Sequence, residues 1–258
     1  MPKILFSILI TNYNKGKYIE KTINSCLKQK IKKFEILVYD DCSTDDSLDI
    51  LKKFKNIKII KNKKKKFKSG PLNQIDGIIR LFKISKGKII FLLDGDDEFK
   101  NEKLKIISKL FEQNKDLNLI QDKAYYKKEE KLLKLKIKKN QSFIWPSFYP
   151  TSCISIRRNY FKKFLIFIKS KKFPNLEIDA RLSMFAFLTK NLFFIENCLT
   201  IYNYDELGIM SKYQKFSINW WKKRNDAFDY FFFLKKKFNQ KTKYSFDYYL
   251  TKLINFFI

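Results

Sequence analysis

The chain contains no histidine. That absence excludes Ser-His-Asp catalysis, histidine-based metal sites and imidazole acid/base chemistry, so proton transfer falls to carboxylates, lysines, tyrosines or cysteines. Only 6 glycines and 5 prolines occur in 258 residues, too few for a collagen-like or linker-dominated chain. The four cysteines, Cys26, Cys42, Cys153 and Cys198, form no Cys-x-x-Cys pair. Neither a zinc ribbon nor a disulfide framework is indicated, and a reducing cytoplasm fits. No run of 18 or more apolar residues is present, and residues 1–9 lack the small-residue cleavage site of a signal peptide. The expectation is a cytoplasmic protein that does not span a membrane, with peripheral contact at the inner face of the cell membrane left open.

Acidic residues are also scarce. Against 55 Lys+Arg stand 26 Asp+Glu, a formal charge of +29 that attracts phosphates of any kind, whether nucleotide, lipid headgroup or nucleic acid. Charge alone does not choose among them, because Lys, Asn, Ile and Phe are abundant together, as AT-rich coding would produce. Hydrophobic residues at 45% allow one substantial α/β core with a tail and exclude wholesale disorder.

Residues 3–11 (KILFSILIT) form a continuous apolar run, the mark of a strand covered on both faces. A helix over residues 18–29 follows, with Ile19, Ile23, Cys26 and Leu27 on one stripe. Residues 34–39 (FEILVY) read as a second strand ending in Asp40 and Asp41, after which Ser43 and Asp46 make a capping-box-like start to a helix. Residues 57–60 read as a third strand, 61–68 (KNKKKKFK) as a basic loop, Pro71 as a helix start, and 88–93 (KIIFLL) as a fourth strand running into Asp94-Gly95-Asp96-Asp97. This alternation predicts an α/β fold with a parallel, doubly wound half, where ligands sit at the carboxyl ends of the strands. Later segments predict strands over 117–124, 132–138 and 152–156 and a helix over 178–188 with Asp179 in its first turn, so the sheet is expected to be mixed. From about residue 213 the chain is aromatic, basic and free of strand alternation, which predicts a helical C-terminal appendage over 213–258 after a domain over 1–212.

Three carboxylates projecting from one strand end repel one another unless a cation is near. Hard oxygen ligands suit Mg²⁺ or Mn²⁺, which could neutralise a departing diphosphate; the plain alternative is a solvated acidic turn with Gly95 at the bend. Asp40 and Asp41 form a second acidic strand end, beyond what helix capping at Ser43 needs.

The segments FSILITNYN (residues 6–14), FEILVYDDCSTD (34–45), GKIIFLLDGDD (87–97) and CISIRR (153–158), in this order and spacing, resemble the family 2 glycosyltransferases of the GT-A fold over roughly residues 3–205. The resemblance implies a Rossmann-like doubly wound mixed sheet and inverting transfer of a sugar from a nucleotide diphosphate donor, expected to be a UDP-sugar, to an acceptor hydroxyl. A glycan or lipid-linked acceptor in bacterial surface glycan synthesis is implied with it. It also implies that Thr11 and Asp41 contact the nucleoside, Asp41 at the base and Asp40 near the ribose, within a donor site that includes Asn12, Tyr13, Asp94, Gly95 and Asp97. Asp94 and Asp96 would form the Asp-x-Asp element, with Asp96 the first choice of direct metal ligand and Asp97 near the donor sugar. Asp179 would be the catalytic base, with Glu177 as the alternative; the bland reading of Asp179 is a first-turn acid complementing a helix N-terminus.

Two departures from the family pattern stand out. Asn73-Gln74-Ile75-Asp76-Gly77 replaces the usual Ala-Arg-Asn, so a basic contact is missing, for which residues 61–68 could substitute or simply remain a solvated loop. Cys42 stands where glycine is frequent. Competing classes are a nucleic-acid-binding protein, which the acidic clusters and the lack of a recognised motif disfavour, and a metal-dependent phosphohydrolase. The aromatic tail, with Trp220 and Trp221, either docks on anionic lipid or packs on the core or a partner.

Overall fold

The computed structural model describes residues 5–128, 131–134, 144–203 and 213–258. Strand β1 (Phe6–Asn12) leads through helix α1 (Gly16–Leu27) to β2 (Phe34–Asp40), then α2 (Ser47–Lys52), β3 (Ile57–Lys61), α3 (Gly70–Ile84) and β4 (Ile89–Asp94). A two-residue strand β5 (Glu98–Phe99) and α4 (Lys103–Gln113) precede β6 (Leu119–Lys128) and β7 (Lys131–Lys134). A 3₁₀ turn (Thr151–Cys153) opens β8 (Ile154–Arg157), followed by α5 (Arg158–Leu165), α6 (Ile178–Leu188), β9 (Leu192–Asn203), α7 (Ile218–Lys237) and α8 (Phe246–Phe257).

The sheet runs β3-β2-β1-β4-β8-β6-β9-β5, with β7 paired to β6. β3, β2, β1 and β4 are mutually parallel, whereas β8 is antiparallel to both β4 and β6, and β9 is parallel to β6. The expected doubly wound parallel half within a mixed sheet is therefore present.

Strand alternation divides the core into two layers. Ile8, Ile10, Ile36 and Val38 face α1, α2 and α4 through Ile19, Ile23, Leu51, Leu104 and Phe111. Leu9, Leu37 and Tyr39 face the other way, onto α3, α5, α6 and α7 through Ile75, Phe161, Leu182 and Phe231. Both faces of β1 and β2 are covered, which is why these strands read as unbroken apolar runs.

Local expectations were met unevenly. Ser69 caps α3 and Pro71 lies in its first turn, as the sequence requires. The helix after β2 starts at Ser47, with Asp46 at its N-cap position, and not at Ser43, whose hydroxyl is drawn instead to Asp40 at 2.5 Å. The predicted strand over 132–138 is seen as β7, and residues 135–138 lie outside the described residues. The C-terminal segment is helical, and its first helix is built into the core: Ala227, Tyr230, Phe231 and Leu234 are buried there. No helix of the described residues is long and apolar enough to cross a membrane.

Candidate active site

The strand order places a topological switch between β1, which pairs with β2 on one side and with β4 on the other. Register brings the predicted residues together at the carboxyl ends of these strands: Asn12 lies beside Asp40, and Thr11 beside Asp94.

On the β2 side, the Asn12 amide donates to Asp40 Oδ1 at 2.8 Å, and the Ser43 backbone N–H donates to Asp40 Oδ2 at 3.1 Å. Asp40 is thus fully buried and committed to internal bonds. Its neighbour Asp41 accepts one bond from the Asn62 amide at 3.0 Å. Cys42 has φ 62°, a left-handed conformation that costs a residue with a Cβ about 1 kcal/mol or more, so glycine is the unstrained choice at this position. Tyr13 is exposed, and Lys65 of the basic loop sets its ammonium 3.2 Å from the ring centroid. The same loop is tied to α3 by Lys66 on Asp76 at 2.6 Å. The lysines of the run at 63–66 stay exposed, and two of them touch Tyr13 and Asp76.

On the β4 side, Thr11 Oγ1 and the Gln74 amide both donate to Asp94 Oδ1, at 3.0 and 2.8 Å. Gln74 comes from the segment that departs from the family pattern, so it supplies a neutral donor at this carboxylate. Burial, reinforced by Asp96, pushes the Asp94 carboxyl up to about 6. Gly95 is required by close approach: a Cβ there would lie 2.8 Å from Asn12 Oδ1 and 3.1 Å from the Thr11 carbonyl. Asp96 is half-buried and paired with Lys15 at 2.6 Å.

Asp97 has no exposed surface. Its oxygens accept from Ser152 Oγ at 2.5 Å and from the Asn203 N–H at 3.0 Å, and Asn203 also donates to the Asp96 carbonyl at 2.6 Å. Burial, then repulsion from Asp96 and Asp94, holds the Asp97 carboxyl well above the ordinary range. Behind it, fully buried Lys103 donates to the Ser152 carbonyl and Thr200 Oγ1, each at 2.7 Å, and pairs with Asp122 at 2.7 Å.

Asp179 stands in the first turn of α6, where its Oδ1 accepts from the Ala180 N–H at 2.7 Å. Burial pushes its carboxyl up to about 7, with Glu177 and, more weakly, Asp94 adding repulsion. Tyr202, near the end of β9, lies within electrostatic reach of both acidic sites. Its phenol is raised by burial and then by Asp97, Asp96, Asp94 and Asp179, so these four carboxylates share one region. Glu177 is buried and paired with Lys223 of α7 at 2.6 Å. Arg181, fully buried, donates to the carbonyls of Leu176, Ile168, Lys169, Lys172 and Phe173 and thereby fastens the loop that delivers Glu177 and Asp179.

Sequence reasoning did not single out Lys15, Gln74, Lys103, Ser152, Arg181, Tyr202, Asn203 or Lys223, all of which touch or surround the acidic region. Ser152 lies in the predicted strand over 152–156, Arg181 in the predicted helix over 178–188 and Gln74 in the segment that departs from the family pattern; the others carry no local signal. A hollow of about 570 Å³ lined by Lys21, Asn24, Lys28 and Lys100 lies elsewhere, and none of the site aspartates lines it.

Among the described residues, no group of three or more His, Cys, Asp or Glu is assembled as a metal-binding cluster. Asp94 and Asp96 nevertheless offer hard oxygen donors, Asp96 opposing the ionisation of Asp94, beside a lysine ammonium that pairs with Asp96. That donor set fits a divalent cation that also draws ligands from a diphosphate.

A β3-β2-β1-β4 parallel half with carboxylates at the switch point, extended by antiparallel strands, defines a GT-A type of α/β protein. Consistent with this, residues 7–171 match the model of the glycosyl transferase family 2. The chain belongs to the family 2 glycosyltransferases. It is similar to the poly(ribitol-phosphate) beta-N-acetylglucosaminyltransferase TarS of Staphylococcus aureus, with 35% identity over 102 residues, covering 39% of this chain and 18% of that protein. It also resembles the UDP-Glc:alpha-D-GlcNAc-diphosphoundecaprenol beta-1,3-glucosyltransferase WfaP of Escherichia coli, with 40% identity over 102 residues, 39% of this chain and 38% of that protein. The chain thus spans less than half the length of these curated relatives. Among solved structures, S. aureus TarS 1-349 in complex with UDP superposes with a TM-score of 0.65 at 19% identity, covering 88% of this chain and 65% of that one. The mannosyltransferase PcManGT from Pyrobaculum calidifontis, in complex with GDP-Man and Mn²⁺, gives 0.60 at 11% identity, covering 93% and 65%. These likenesses carry the fold.

Proposed function

We propose that this chain is an inverting glycosyltransferase that moves a sugar from a UDP-type donor to an acceptor hydroxyl in bacterial surface glycan synthesis. The observation that carries the reading is the register that sets Asn12 beside Asp40 and Thr11 beside Asp94 at the switch-point end of the sheet, with Asp94, Asp96, Asp97 and Asp179 all within electrostatic reach of Tyr202. It is supported by the family match and by relatives named as transferases of sugars to poly(ribitol-phosphate) and to a diphosphoundecaprenol-linked acceptor.

In this reading the nucleoside lies at the β2 end, with Asp41 and Thr11 as polar contacts and Tyr13 as an aromatic wall. Asn12 and Asp40, bonded to each other, keep that end rigid. Gly95 lets the β4 end approach closely, and Asp97 braces it through Ser152 and Asn203. Asp94 and Asp96 would hold Mn²⁺ or Mg²⁺, which when bound supplies Lewis-acid stabilisation of the departing diphosphate. Asp179 takes the proton of the acceptor hydroxyl as its oxygen bonds to the anomeric carbon. The bond from that carbon to the diphosphate oxygen breaks, and its electron pair leaves with the diphosphate. A carboxyl raised to about 7 suits this step, because it is basic enough to take a proton and still substantially ionised near neutral pH.

The lipid-linked acceptor of such a reaction would meet the protein at the inner face of the membrane. Peripheral contact through α8 is supported by its outward stripe of Phe246, Tyr249, Leu253, Phe256 and Phe257, and by exposed lysines at 236, 237, 241 and 243 that complement anionic lipid.

The deciding experiment is a thermal-shift titration of UDP and UDP-sugars with and without Mn²⁺, run on the native chain and on Asp96→Ala. The native chain gains stability with nucleotide plus metal, because a ligand that binds only the folded state raises its melting temperature. Asp96→Ala loses the metal-dependent part. No stabilisation of the native chain by any nucleotide overturns the proposal.

A further inference from the structure

One face of α7, at spacing i, i+3 and i+7, reaches the segment that carries the base. Lys223 pairs with Glu177 at 2.6 Å, both side chains largely out of solvent. One turn on, Asp226 accepts from the N–H and the side-chain amide of Asn175, at 2.8 and 2.9 Å, just ahead of α6. One turn further, Tyr230 lies 5.5 Å from the Arg181 guanidinium, the group that fastens the loop before α6 from behind. Lys223 also sets its ammonium 4.7 Å from the Tyr213 ring centroid. All of these α7 contacts lie beyond residues 7–171, the segment that matches the family.

Two acids two residues apart, both sheltered, are ambiguous as a general base. The geometry removes the ambiguity. Glu177 spends its charge on a lysine, whereas Asp179, among the described residues, accepts a hydrogen bond from the start of its own helix and lies within electrostatic reach of Asp94 and Tyr202.

We propose that Lys223 is a positioning residue for the reaction: it locks Glu177 out of the acceptor site and leaves Asp179 as the base, so that α7 completes the active site. This rests on the reading of the chain as an inverting transferase. Among the described residues, the charged groups that act on Asp179 are Glu177 on its own segment, Lys223 on α7 and Asp94 at the end of β4, with the Tyr202 phenol on β9. Glu177 and Asp94 oppose ionisation of Asp179, and Lys223 favours it. Removing the lysine therefore both withdraws a positive charge and frees a negative one beside the base.

The test follows the side-chain carboxyl of Asp179 by ¹³C NMR titration in the full chain, with the resonance assigned by its loss in Asp179→Asn. Lys223→Met is expected to move its midpoint up by about one unit and Glu177→Gln to move it down, while Lys223→Arg leaves it near the native value. The Glu177→Gln arm keeps the lysine, so the proposal stays open to refutation if Lys223→Met does not fold. A midpoint that stays put in both Lys223→Met and Glu177→Gln, or a Lys223→Met shift downward, overturns it. A separate arm measures UDP release from UDP-glucose with Mn²⁺. Loss of release in Asp179→Asn, with a smaller loss in Glu177→Gln, supports the division of roles. Full release in Asp179→Asn would overturn the assignment of the base, whatever the NMR midpoints do.

Discussion

Lys103 and Asp122 meet at 2.7 Å with neither side chain exposed to solvent. The pair is the root of a chain of hydrogen bonds that runs through the Ser152 carbonyl and Thr200, then from the Ser152 hydroxyl to Asp97 and the Asp94 N–H. A buried ion pair contributes little over an apolar replacement, but removing one partner leaves an uncompensated charge. Lys103→Met should therefore cost about 3–5 kcal/mol, read from urea unfolding, whereas Lys103→Met combined with Asp122→Leu should recover a large part of that loss. Because Ser152 fixes the β4 end, the double variant should still lose donor affinity, measured by UDP titration.

Gly95 makes a sharper test of the same strand end. A methyl group there meets the Asn12 side chain and the Thr11 carbonyl, both part of the rigid β1 end. Gly95→Ala should destabilise the fold by roughly 1–3 kcal/mol through overpacking and should weaken UDP binding more than a comparable change away from the site. Equal UDP affinity in the variant would show that β1 and β4 do not jointly form the donor site.

The parallel half and its two acidic ends could be read from sequence because strands covered on both faces are continuous apolar runs, and the carboxylates follow them directly. α4, α5 and β9 were not read. β9 mixes exposed Phe193, Phe194 and Glu196 with buried Leu199 and Thr200, so it shows neither a clean alternation nor a run. It becomes a strand through its pairing with β6, some seventy residues earlier. The same distance hides the supports of the site: nothing near Lys103 signals Asp122, and nothing near Glu177 signals Lys223. Ser43 shows the reverse case, in which a local capping pattern is overridden by a partner network, Asp40 and Asn12, that forms only when β1 and β2 pair.

The outward stripe of α8 makes a prediction about surfaces. Its packed side is held by Asp247 on Arg224, Lys252 on Asp229 at 2.5 Å and Asn255 on the Trp221 carbonyl at 3.1 Å, which turns the five apolar side chains away from α7. A buried phenylalanine contributes about 1.5–3 kcal/mol, so Phe256→Ser with Phe257→Ser should weaken partition into anionic vesicles by about a hundredfold or more. Flotation with vesicles rich in phosphatidylglycerol reads this out, and salt should weaken the native interaction as well. Native chain that fails to float on those vesicles would assign the stripe to a protein partner or to further packing of the chain.

The raised carboxyl of Asp179 links activity and stability to pH in opposite directions. Folding lifts it from the ordinary aspartate range to about 7, chiefly through burial and then through Glu177. Between roughly pH 4 and 7 the folded state holds a proton that the unfolded chain has released, so the contribution of this group to stability falls as pH rises through that window and is lowest above it. A general base must be ionised, so kcat/KM should rise through the same window with a limb near pH 7. Asp179→Asn should remove both effects at once: turnover is lost, and the fall in melting temperature between pH 5 and 8 becomes shallower than in the native chain. A native kcat/KM limb below pH 5, or an unchanged melting profile in Asp179→Asn, would mean that this carboxyl is ionised in the fold without the cost its burial imposes.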